Sequence, residues 1–304
     1  MLDQLLERYR HGDRRALSQL ISLAARGEQL ATIAHSLPDA SKSARVIAFT
    51  GGAGAGKSTL IGRLLPLVRA DQHQVAVLAC DPQSPLSGGA LLGDRFRMGA
   101  TEDEGVWIRS LAAVGGRGAV AEHLELIIRL LENFGFDVIF LETVGAGQGD
   151  VAVAALADVV VLLLQPETGD DLQWEKAGIL ELADVIVIHK ADLAGADDTA
   201  AQVRAMLDLS PNRSVPVMRV STKKSEGHAE LWNTLRSLPV RRQPGSGSEL
   251  LRLAQDLLAE RMQRATSLHN AALTRLLSDW RAGVCSTEEA AAQLLKLLAV
   301  STTP

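Results

Sequence analysis

The 304-residue chain is poor in cysteine, poor in aromatic residues and without a long apolar run. Its two cysteines, Cys80 and Cys285, cannot build a disulfide framework or a paired-cysteine zinc site, and so low a number fits a reducing compartment. Aromatic residues make up 3% of the chain, which excludes a broad stacking platform for single-stranded nucleic acid. Acids outnumber bases, 36 against 31, for a net charge of −5, so no nucleic-acid partner is expected. Apolar stretches such as 159–164 fall far short of the ~20 residues that cross a bilayer. The opening MLDQLLERYRHGDRR mixes acids with bases and has no apolar segment of signal-peptide length. A cytoplasmic protein with no membrane partner is the expectation.

What is present is an ordinary globular composition, 47% apolar and 22% charged, in three parts. Residues 1–40 read as a helical extension. One stripe is Leu2, Leu5 and Leu6; another is Leu17, Leu20, Ile21 and Leu23, with Asp13 as its N-cap. Residues 41–240 alternate short β-branched runs (46–50, 75–80, 138–141, 159–164, 185–188 and 215–220) with amphipathic stretches such as 121–134 and 199–209. That pattern predicts an α/β domain with a mostly parallel sheet covered on both faces, and its ligand beyond the carboxyl ends of the strands. After the Pro/Gly/Ser-rich 241–248, residues 241–304 read as a helical arm: one long helix over 250–280 and a second over 287–298. Leucine stripes that two helices cannot bury alone favour a dimerisation arm over packing back onto the sheet.

The strongest motif is Gly51, Gly52, Ala53, Gly54, Ala55, Gly56, Lys57, Ser58 and Thr59, between the run 46–50 and a helical stretch over 57–67. A glycine loop in that setting turns backbone N–H groups toward phosphate oxygens, and the helix N-terminus adds its positive end. Lys57, expected to face solvent or ligand, supplies a point charge for the terminal phosphates, and the Ser58 hydroxyl suits Mg²⁺.

Asp81 and Glu142 each close a strand and would stand beside this loop as hard oxygen ligands for Mg²⁺, with Asp94 on the following segment as a further candidate. Glu142 and Gly145 have the spacing of a γ-phosphate sensor, and Gln148 could position an attacking water. Downstream, His189, Lys190 and Asp192 follow a strand in the manner of a guanine-reading NKxD segment, with His in place of Asn. A buried Asp192 carboxylate would accept two hydrogen bonds from guanine, a donor pair that adenine lacks. Lys190 would lie over the base, and Ser221, Thr222 and Lys223 would close its other edge. His189 can donate one hydrogen bond toward the phosphate loop but lacks an amide's coplanar donor and acceptor, a loss of about 0.5–1.5 kcal/mol.

GGAGAGKST, DPQSPLSGGALLGDRFRM, FLETVGAGQGD, GDDLQWEKAGILELADVIVIHKAD and HGDRRALSQLI together resemble the MeaB/ArgK family of GTPases, G-protein chaperones of adenosylcobalamin-dependent acyl-CoA mutases. The resemblance covers roughly 10–240 and, weakly, the C-terminal helices. It implies GTP and GDP as ligands with Mg²⁺, and slow GTP hydrolysis stimulated by a mutase partner. It also implies a role in cofactor loading and mutase protection, and a homodimer through the C-terminal arm. Lys57, Glu142 and Gln148 become its catalytic residues; Ser58, Asp81, Asp94 and Glu142 its metal environment; and residues 169–178, with Lys176, a further switch. His189, Trp174, Glu175 and the segment after Arg109 depart from the family pattern, which points to a variant branch.

Other functions compete. A metal-insertion GTPase for hydrogenase or urease maturation would carry Cys- or His-rich delivery segments, whereas the seven histidines here are scattered. A kinase linked to amino-acid transport would need a docking site for a phosphoacceptor, and nothing in the chain reads as one. Asp192 and the block 81–98 argue against a partitioning-type ATPase.

Overall fold

The computed structural model describes residues 2–38, 43–82, 103–113, 119–143, 153–154, 156–166, 177–208, 214–240 and 270–300, with eight positions between 251 and 266. The helices are α1 (Leu2–Arg10), α2 (Arg14–Ala25), α3 (Leu30–Ser36), α4 (Lys57–Ala70), α5 (Ala119–Phe134), α6 (Ala177–Leu182), α7 (Ala196–Asp208), α8 (His228–Ser237), α9 (Ala271–Arg281) and α10 (Thr287–Val300). The strands are β1 (Arg45–Gly51), β2 (Val75–Pro82), β3 (Val106–Ala113), β4 (Val138–Glu142), β5 (Val159–Leu164), β6 (Val185–His189) and β7 (Val217–Val220). They form one seven-stranded sheet, ordered β3-β2-β4-β1-β5-β6-β7, and every pairing is parallel.

The continuous apolar runs of the central strands follow from burial on both faces, because successive side chains point to opposite sides. In β1, Val46 and Ala48 join the core under α1, α2, α3 and α5. Ile47 and Phe49 join the core under α4 and α8. A third cluster packs α7 on the outer strands through Ala196, Ala200 and Val203. The first helices are thus part of the domain's core. The Tyr9 ring packs at a tilt against Phe134, and its hydroxyl donates to the Leu130 carbonyl at 2.7 Å.

Three aspartates that precede strands tie the amino-terminal edge of the sheet. Asp137, Asp158 and Asp184 accept from the backbone N–H of Gln74, Val46 and Val160, at 2.8, 2.9 and 2.9 Å. Each carboxylate thereby fixes where the neighbouring strand begins.

Two local expectations are corrected. The segment after Arg109, expected as a divergent family loop, begins within a strand: Val106–Ala113 form β3, an edge strand paired with β2 alone. Arg109 and Ser110 interrupt its apolar pattern. An edge strand accommodates them, and the Arg109 guanidinium donates to Ser22 Oγ on α2 at 2.6 Å. The single helix expected over 250–280 is interrupted at Asn270, whose extended backbone and side-chain carbonyl, accepting from the N–H groups of Ala272 and Leu273, start α9 afresh. Asp13 caps α2 as its position implies, and Ser286 with Glu289 forms a reciprocal capping box at α10. Among the described residues, no helix is long and apolar enough to cross a membrane.

Asp158 is fully buried, so Asp158→Ala strands the Val46 N–H and should cost about 1–3 kcal/mol. Urea unfolding should show a lower midpoint with an unchanged slope. A midpoint within error of wild type would mean that the carboxylate does not hold β1.

Candidate nucleotide site at the carboxyl edge

The site is built where β1, β4, β5, β6 and β7 end. Residue 51 closes β1 and opens the loop to α4, whose first residue is Lys57. Gly56, at φ +92, takes a conformation that L side chains rarely adopt, and a Cβ there would overlap the His189 ring. The loop and the base-side segment therefore touch at a position only glycine can occupy.

Lys57 is buried rather than solvent-facing. Its ammonium donates to the carbonyls of Gly51 and Gly52 at 3.0 and 3.3 Å, so the chain folds its own charge back over the loop. Ala53, Gly54 and Thr59 lie on the accessible side, with Ala53 and Thr59 exposed and open space around a Cβ at Gly54.

Parallel pairing sets Glu142 beside both Phe49 of β1 and Ala79 of β2. From there its carboxylate accepts from the Ser58 hydroxyl at 2.6 Å. These are hard oxygen donors at the first turn of α4, chemistry that fits Mg²⁺. Asp81 belongs to β2, which places its backbone at the same edge. The Asp81 side chain, Asp94, Gly145, Gln148 and residues 169–176 lie outside the described residues. Among those described, no cluster of three His, Cys, Asp or Glu side chains could hold a metal.

On the base side, Asp192 is half-buried, not enclosed as expected. Its carboxylate accepts from the Ser221 hydroxyl at 2.7 Å, which holds it below the ordinary carboxylate range. Lys190, with φ +56, turns the chain after β6, and its ammonium donates to Gln165 Oε1 at 2.8 Å. Thr222 closes on the ring of His189, while Lys223 is exposed.

His189 does more than donate once. Its Nδ1 faces the Ala55 carbonyl at 2.8 Å and its Nε2 faces Thr222 Oγ1 at 2.9 Å. The ring thus offers a donor at one end and an acceptor at the other. The residue that sequence reasoning missed is His228, at the start of α8, with Nε2 at 3.4 Å from Thr222 Oγ1. No motif marks it; the fold alone brings it there.

A glycine loop joining a parallel strand to a helix, with an acidic strand end and a second loop on the base side, defines a P-loop nucleotide-binding protein. The sequence matches the family described as Methylmalonyl Co-A mutase-associated GTPase MeaB over residues 16–274, and the chain belongs to that family. It is 42% identical over 244 residues to a protein of Pyrococcus abyssi described as a candidate GTPase, covering 78% of this chain and 75% of that one. It is 40% identical over 198 residues to the mouse methylmalonic aciduria type A homolog, covering 62% and 48%. It is also 38% identical over 192 residues to a fused isobutyryl-CoA mutase of Cupriavidus metallidurans, covering 62% and 18%. A crystal structure of a LAO/AO transport system kinase shares the fold, with TM-score 0.56 and 23% identity over 98% of each chain.

Burial pushes the pKa of His189 and of His228 below the ordinary 6.5. The unfolded chain therefore takes up protons at these rings before the folded chain does, and stability falls as pH drops below that value. The melting temperature should be lower at about pH 5.5 than at about pH 7.5, and His189→Asn should shrink the difference. An unchanged difference in that variant would remove His189 as a cause.

Proposed function

We propose that this chain is a guanine-nucleotide switch serving an adenosylcobalamin-dependent acyl-CoA mutase, gating cofactor loading and protecting the mutase from inactivation. Family membership supports the mutase partner, as do the names of the mouse and Cupriavidus relatives. The observation that carries guanine selection is the Ser221–Asp192 hydrogen bond, set beside a loop already tied to His189. A carboxylate held ionised and aimed by one hydroxyl keeps its remaining lone pairs for the two guanine donors.

The reaction is hydrolysis of GTP to GDP and phosphate. Lys57, released from the loop carbonyls, neutralises the terminal phosphates, and Gln148 orients the attacking water. Ser58, Glu142, Asp81 and Asp94 would hold Mg²⁺, which supplies charge neutralisation to the phosphate oxygens. Hydrolysis is slow until the mutase engages the segments after Glu142 and at 169–178. The protein works in the cytoplasm as a homodimer through its C-terminal helices. The exposed apolar side chains of Trp280, Val284 and Leu295 in that region support the dimer.

The test is co-purification from the native cell with GDP or a non-hydrolysable GTP analogue; recovery of a cobalamin-dependent mutase is expected, and its absence with both nucleotides would overturn the partner. Lys57→Ala should lose tight GTP binding with its circular dichroism spectrum intact; wild-type affinity in that variant would overturn the phosphate-loop reading. Asp192→Asn faces the guanine amine with another donor, which should cost about 1–3 kcal/mol and shift preference toward XTP. Titrations with GTP, ATP and XTP check this, and no shift would mean that Asp192 does not read the base. A chain lacking residues 245–304 should sediment as a monomer and still bind GTP; a truncated dimer would overturn the arm.

A further inference from the structure

We propose that His228, acting through the Thr222 hydroxyl, is a positioning residue for the phosphate loop, so that the base-side loop and the phosphate loop are set as one unit. This rests on the nucleotide-binding reading above and adds to it a residue outside every motif.

The argument is one of proton placement along four atoms. The Ala55 carbonyl can only accept, so Nδ1 of His189 carries the proton of that 2.8 Å contact. The neutral ring then presents Nε2 as an acceptor, and the Thr222 hydroxyl, at 2.9 Å, spends its one proton there. Thr222 Oγ1 is left able only to accept, and Nε2 of His228 faces it at 3.4 Å; in the tautomer that carries its proton on Nε2, this ring donates to the hydroxyl. With that tautomer the chain runs in a single direction when both rings are neutral; the Ser225 carbonyl also accepts from the His228 ring and competes for the same proton. Both rings are buried, and burial favours the neutral form. Of the charged groups facing them, Lys190 acts on His189 in the same sense and Asp192 opposes it, while Arg63 of α4 favours neutral His228.

The loop that carries Thr222 is itself closed. Ser221 and Glu226 exchange backbone hydrogen bonds at 3.1 and 3.0 Å, and the Lys224 N–H donates to Ser221 Oγ at 3.1 Å. Gly227, at φ +81, follows, where a Cβ would overlap the Arg219 carbonyl; this tight return sets His228 as the first residue of α8 beneath the loop. Two adjacent hydroxyls therefore face opposite halves of the site. Ser221 holds the base-reading carboxylate, and Thr222 holds the imidazole that holds Ala55.

The test measures GDP and IDP affinity for wild type, Lys57→Ala, His228→Leu, Thr222→Val, the His228→Leu/Thr222→Val double variant and His228→Gln. His228→Leu and Thr222→Val should each weaken GDP by about three- to tenfold, the scale of one hydrogen bond. The double variant should lose little more than the worse single variant, because both break one chain. His228→Gln, whose amide N–H reaches where Nε2 stands, should restore affinity to within about twofold of wild type. The GDP-to-IDP ratio should stay at the wild-type value throughout, since the base reader is untouched. Losses that multiply in the double variant, or His228→Leu and His228→Gln that bind alike, would overturn the inference while leaving the nucleotide site intact. If His228→Leu does not fold, Thr222→Val and His228→Gln carry the comparison: full affinity in Thr222→Val, or unrescued loss in His228→Gln, overturns it. Wild type that does not bind GDP, or binds it no better than Lys57→Ala does, would instead overturn the nucleotide reading itself.

Discussion

The parallel pairing of β1 with β4, Phe49 opposite Glu142, is the constraint from which the rest of the site follows. It delivers an acidic strand end within hydrogen-bond reach of the first turn of α4, and the Ser58–Glu142 contact is its direct expression. A slip of one residue would turn Glu142 to the other face of the sheet and replace it with apolar Leu141. The neighbouring pairing of β1 with β5 does the same for the other side of the loop, with residue 51 opposite Leu163.

The site carries its charges already enclosed. Lys57 and Glu142 are both buried, and each is compensated locally, one by loop carbonyls and the other by a hydroxyl. Burying a charge without partners costs far more than these contacts return, so the loop carbonyls are what make a buried Lys57 ammonium tolerable. On the proposed reading, phosphate binding would be an exchange of partners at Lys57 rather than the capture of a charge from water.

The fold was readable where local chemistry and tertiary need coincide. The glycine loop between 46–50 and 57–67, the continuous apolar runs and Asp13 as a cap all follow from residues near in sequence. β3 escaped because Arg109 and Ser110 break the apolar run, and the edge position, with Ser22 of α2 accepting from Arg109, makes them compatible with a strand. The helix break at Asn270 escaped because leucine periodicity continues on both sides of it, while a single side-chain carbonyl decides the boundary. In the candidate site, the motifs marked Lys57, Ser58, Glu142 and Asp192, and the fold brings Ser58 and Glu142 into contact. Whether Lys57 and Asp192 would be enclosed was not legible, since exposure depends on elements far apart in the chain. His228 was invisible for the same reason, lying 39 positions beyond the ring it serves.

The aspartates at the opposite edge have a mechanical consequence. Asp137, Asp158 and Asp184 stitch the beginnings of strands to their neighbours, at the edge of the sheet opposite the glycine loop. A sheet fastened along one hem behaves as a set of levers with a common fulcrum. On the proposed nucleotide-binding reading, a phosphate group would act at the edge away from that hem, with strand order and register fixed behind it.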